Sequence, residues 1–77
     1  MEWSSLYAND PGDDYELVIE LLYKEKDVAV IRHKEKGLEL TWYANENNLN
    51  IPVDWLLERL IMAKRDLKRD TSKNNEE

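Results

Sequence analysis

The sequence predicts an α+β fold: an antiparallel three-stranded β-meander with one C-terminal amphipathic helix packed on one face, in the order arm-β-β-β-α. Three observations lead there. Apolar and polar residues alternate over residues 15–43, the period of strands. Short polar or glycine-bearing segments interrupt that alternation at hairpin intervals. From Pro52 onward the apolar spacing becomes helical.

Residues 1–14 hold Trp3, Leu6 and Tyr7, followed by Asn9-Asp10-Pro11-Gly12-Asp13-Asp14. Proline, glycine and short acids cluster in turns, so this stretch reads as an irregular N-terminal arm leading into a sharp loop whose side chains bond their own backbone. From Tyr15 the alternation begins: Tyr15, Leu17, Ile19, Leu21 and Tyr23 point one way, Glu16, Val18, Glu20, Leu22 and Lys24 the other. Lys24-Glu25-Lys26-Asp27 is polar and short enough to reverse the chain, and the β-branched run Val28-Ala29-Val30-Ile31 suits a second strand. Gly37 offers positive φ for the next hairpin, after which Leu38, Leu40 and Trp42 alternate with Glu39, Thr41 and Tyr43 in a third strand. The asparagine-rich stretch 45–50 ends the sheet.

Pro52 suits a first helical turn, Asp54 sits near the positive end of the dipole, and Lys64, Arg65, Lys68 and Arg69 complement the negative end. Val53, Leu56, Leu57, Leu60, Ile61 and Leu67 recur at helical spacing over about residues 52–69, a helix roughly 27 Å long. Residues 1–70 thus form one small domain. The stretch 71–77 carries no apolar residue and reads as a disordered acidic tail.

One helix covers one face of a sheet. Leu17, Ile19, Leu21, Val28, Val30, Leu38, Leu40 and Trp42 are expected beneath Val53, Leu57, Leu60, Ile61 and Leu67. The opposite face then shows Val18, Leu22, Ala29, Ile31, Thr41 and Tyr43 among Glu16, Glu20 and Glu39. Apolar surface of that extent marks an interface unless Trp3, Leu6 and Tyr7 fold across it.

Charge narrows the partners. Eleven basic and seventeen acidic residues leave the chain at −6. Residues 1–57 carry 12 acidic and 5 basic groups (net −7), whereas residues 58–73 carry 6 basic and 3 acidic (net +3). Such a surface repels nucleic acid and anionic membrane and favours basic partners. The longest apolar runs fall far short of a membrane span, and the expected compartment is the cytoplasm.

Little chemistry is available. Cysteine is absent, which excludes thiol redox work and disulfides, and His33, between Arg32 and Lys34, has no carboxylate beside it in sequence to tune it as a base. Asp10, Asp13, Asp14 and Glu16 are dense enough for a hard cation but lack the spacing of a calcium loop. With two glycines there is no phosphate-cradling loop. No cofactor, metal or catalytic group is expected.

The sequence therefore reads as a small acidic non-enzymatic regulator or inhibitor that binds a basic protein through its exposed sheet face and an edge strand. Glu16, Val18, Glu20, Leu22, Ile31, Glu39 and Tyr43 form the expected site, which would equally drive self-association into a homodimer. On this reading Leu22→Glu or Ile31→Glu spares the fold and abolishes association. One rival is a nucleic-acid-binding accessory protein using Lys64, Arg65, Lys68 and Arg69, with residues 40–57 as a helix-turn-helix. That rival must place Thr41-Trp42-Tyr43 inside a helix and bring Asp54 and Glu58 near phosphate. Another rival is an acidic mimic of nucleic acid that blocks a DNA-binding protein.

Overall fold

The computed structural model describes residues 1–45 and 48–68. Four antiparallel strands in the sheet order β1-β2-β3-β4 precede one helix. The strands are β1 (Trp3–Asp10), β2 (Glu16–Tyr23), β3 (Lys26–Lys34) and β4 (Gly37–Trp42), and the helix is α1 (Val53–Asp66). The fold class is α+β with a meander, as expected, but the sheet has one more strand. The segment read as an irregular arm is β1, paired along its whole length with β2 from Trp3↔Tyr23 to Asp10↔Glu16. It lengthens the sheet and does not fold across a face.

Each reversal has a local cause. Between β1 and β2, Pro11–Asp13 makes one 3-10 turn capped by Asp10, whose carboxylate accepts a hydrogen bond from Gly12 N–H at 3.0 Å. Asp14 and Tyr15 then take left-handed φ values of 56° and 59° to swing the chain back. Lys24 and Glu25, the two residues joining β2 to β3, both have positive φ (51° and 69°), as in the mirror-image turn whose twist matches a hairpin. At the start of β4, Gly37 adopts φ 131°, which residues with a side chain rarely reach.

Strand β3 carries a correction. Leu21 pairs with Ala29 but Leu22 pairs with Asp27, leaving Val28 as an extra residue on β3. Such a bulge turns two successive side chains to one side and inverts the parity of everything beyond it. Val28 and Ala29 therefore both enter the core, and Ile31 follows them beneath the helix, buried at 1% exposure. Val30, expected beneath the helix, lies on the opposite face. Ala29 and Ile31, expected on that face, do not.

Helix α1 departs from expectation in which stripe it buries. Leu56, Leu60, Ala63 and the following Leu67 face the core, whereas Val53, Leu57 and Ile61 are exposed at 75%, 52% and 55%. The helix is fastened toward β1. Trp3 is buried against Tyr23, Trp42 and Trp55, with ring centroids 5.0, 6.3 and 5.9 Å away, and its indole N–H donates to the Asn50 carbonyl at 3.0 Å. Arg59 donates to Ser5 Oγ at 3.3 Å while its guanidinium lies over the Trp55 ring. Tyr7 donates to the Asp66 carboxylate, which Arg65 also grips through two bonds of 2.8 Å. Leaning that way, α1 leaves Leu40 and Trp42 of β4 about 40% exposed beneath its other flank.

Among the described residues, no helix is long and apolar enough to cross a membrane. The tail expected over 71–77 lies outside the described residues.

Candidate functional site

Strand parity and register together define the sheet face that α1 does not cover. Its central row runs straight across all four strands: Leu6 pairs with Glu20, Glu20 with Val30, and Val30 with Thr41. One flanking row holds Ala8, Val18, Arg32 and Glu39, followed toward the loops by Asp10, Glu16 and Lys34. On the other side lie Ser4, Leu22 and Asp27, with Tyr43 just past β4, its backbone N–H donating to the Val28 carbonyl at 2.9 Å. Carboxylates outnumber cations on this face: Asp10, Glu16, Glu20, Asp27 and Glu39 surround Arg32 and Lys34.

Arg32 is committed within the fold. Its guanidinium reaches from β3 across β2 to pair with Asp10 on β1, and lies 3.8 Å from the Asp13 carboxylate. That charge-assisted bond, helped by Gly12 N–H, holds the Asp10 carboxyl below the usual range.

Glu20 behaves oppositely. It is half-buried in the middle of the face, and burial first, then the charges of Asp27 and Asp10, push its carboxyl above the ordinary value. No hydrogen bond or ion pair engages it among the described residues. The Tyr43 phenol is raised as well, by burial and then by Asp27 and Glu20, with Arg32 acting against them.

Of the residues expected in the site, Glu16, Val18, Glu20, Leu22, Glu39 and Tyr43 share this face. Ile31 does not, because the Val28 bulge sends it to the core, so Ile31→Glu would place a carboxylate there and unfold the chain. Val18 and Val30 are on the face but buried at 2% and 6%, so they serve as its floor. Leu6, Tyr43 and the carboxylates remain accessible. Sequence reasoning missed Leu6, Asp10, Asp27, Val30 and Arg32. The first two follow from treating residues 3–10 as a strand, whose alternation (Leu6, Ala8 and Asp10 against Trp3, Tyr7 and Asn9) is present but irregular.

The basic residues of the rival site are dispersed. Arg65 is bound to Asp66, while Lys64 and Lys68 line an open groove between α1 and β4 together with His33, Gly37, Leu38, Leu60 and Leu67. Arg69 lies outside the described residues. Residues 40–42 are strand, so the helix-turn-helix arrangement is not formed. The turn carboxylates Asp10 and Asp13 face Arg32. No family model, curated protein or solved structure matches this chain.

Proposed function

We propose that this chain is a non-enzymatic protein-binding module, a small acidic regulator or inhibitor, whose helix-free sheet face receives the basic surface of a partner protein. The observation that carries the reading is Glu20: a half-buried carboxylate at the centre of the face, crowded by Asp10 and Asp27, with Arg32 already engaged by Asp10. A lysine or arginine delivered by a partner would relieve that crowding in a partly desolvated setting, where a charge-assisted bond gains most. Leu6, Leu22 and Tyr43 supply apolar and aromatic contact around it, and Glu16 and Glu39 extend the negative field that selects and steers a basic partner. A DNA-binding protein is one member of that class of partner, so acidic mimicry is a special case of the same surface.

The test is capture from native lysate with the wild-type chain and with Glu20→Lys and Glu39→Lys as baits. The expected result is a protein with a basic surface, retained by the wild type and lost with both variants while their circular dichroism is unchanged. Identical sets retained by all three baits would overturn the proposal.

A further inference from the structure

On the helix side of the sheet, the C-terminal half of α1 and the β3–β4 hairpin bound an open groove of about 770 Å³, a size common among clefts that take small molecules. It exists because α1 packs over β2 and β3 and is fastened to β1 through Arg59 and Asp66, so the helix does not close down on β4. Leu38 of β4 and Leu60 of α1, both half-buried, make its walls, and Leu67, 1% exposed, makes its floor. Gly37 brings no side chain to the mouth, and the space a Cβ would enter is empty for 4 Å.

The rim of this groove carries charge of one sign. Lys64, in the last turn of α1, and Lys68, just past its end, line the groove and are exposed. Neither is in an ion pair with another described residue, and no described carboxylate lines the groove, in a chain with seventeen acidic residues and a net charge of −6. From this juxtaposition of three leucines and two lysines we infer that the groove binds a single-chain fatty acid, its alkyl tail against Leu38, Leu60 and Leu67 and its carboxylate at the Lys64 and Lys68 ammonium groups.

Charge complementarity selects that occupant. A basic partner is repelled by the two lysines, and a polyanion such as nucleic acid or an anionic bilayer brings its remaining charges against a molecule that is acidic elsewhere. A small acid places one charge between two cations and nothing against the carboxylates. Its head gains a charge-assisted bond beside an apolar wall that excludes water, and the methylene stems of the lysines extend that wall over the tail. The groove lies on the opposite side of the sheet from Glu20, so the inference stands independently of the basic-partner proposal.

The experiment is titration of the full chain, labelled with ¹⁵N, with octanoate and decanoate below their micelle-forming concentrations, followed by amide chemical shifts. Saturable binding is expected, with the shifts centred on Gly37, Leu38, Lys64 and Lys68. Affinity should rise roughly fourfold for each added methylene, the gain from burying one in an apolar site. Decyltrimethylammonium, with the same tail and the opposite charge, should bind about tenfold more weakly or worse, and so should decanoate to Lys64→Gln combined with Lys68→Gln. Both positions are exposed, so circular dichroism should be unchanged, and Lys64→Arg with Lys68→Arg should keep the affinity. Absence of saturable binding overturns the inference. So does equal affinity for the cationic amphipath, indifference to the double glutamine variant, or shifts centred on the helix-free face. Groove amides that shift when the protein alone is diluted, and not on adding decanoate, would assign the groove to a second copy of the chain and overturn it as well.

Discussion

Two carboxylates on one sheet face titrate in opposite directions, and the signs differ for a physical reason. Asp10 is held low by Arg32 and by Gly12 N–H, so its ionised form favours the fold above the ordinary carboxylate range, and that contribution is lost as acid protonates it. Glu20 is raised by burial and by its acidic neighbours, so its protonated form favours the fold, and that contribution disappears as pH rises through its folded value. Glu20→Gln should therefore raise the melting temperature at pH 7. The gain should shrink toward zero below about pH 4, where the glutamate is protonated in both states. Melting curves across that range check the sign, and a variant less stable than wild type at neutral pH would contradict it. On the proposed function, the same substitution weakens capture of the basic partner, so stability and binding move in opposite directions. Glu20 was among the expected site residues, whereas the pairing of Asp10 was not legible in the sequence, because Asp10 meets Arg32 across two strand spacings and only the register reveals it.

At the level of elements, the turns carry backbone conformations that their sequences do not favour. Glu25 sits at φ 69° with a side chain in place, and a left-handed conformation costs an L-residue roughly 1–2 kcal/mol. Glu25→Gly is expected to stabilise the protein by about 1 kcal/mol, read by urea unfolding. Gly37→Ala is expected to destabilise it by a similar amount at φ 131°, even though nothing lies within 4 Å of the added methyl. The helix offers a paired comparison. Leu67→Ala removes a side chain that is 1% exposed and should cost about 2–5 kcal/mol, whereas Leu57→Ala, at 52% exposure, should cost the monomer well under 1 kcal/mol. Equal losses would show that the buried stripe has been misassigned. Sequence alone could not decide between these stripes, since Val53-Leu57-Ile61 and Leu56-Leu60-Ala63-Leu67 both recur at helical spacing and the first is as apolar as the second. The choice is made by Trp55, Arg59 and Asp66, whose contacts with Trp3, Ser5 and Tyr7 fix the rotation of α1.

For the whole molecule, the meander, its order and the closing helix were readable because alternation, hairpin spacing and helical period are local signals. The fourth strand was not, because residues 3–10 mix serine, alanine and asparagine into a weak alternation and gain strand geometry from pairing with β2. Likewise the acidic character of the helix-free face was legible from β2 and β4, but its β3 column was read one residue out of phase. A bulge is a property of paired strands, and the even run Val28-Ala29-Val30-Ile31 carries no mark of where an extra residue will be absorbed. Both errors have one origin, namely contacts between distant residues overriding local pattern.

The burial of Trp3 against Trp55 and Asn50, with Tyr7 tied to Asp66, has a bearing on biosynthesis. Strand β1 is made before the helix that shelters it, so a nascent chain emerging from the ribosome must carry an uncovered tryptophan until α1 and Leu67 have cleared the exit tunnel. Hairpins can form on the way out, but the core closes only after translation has passed the helix, and a product stopped short of it would expose the greasy layer to chaperones and proteases.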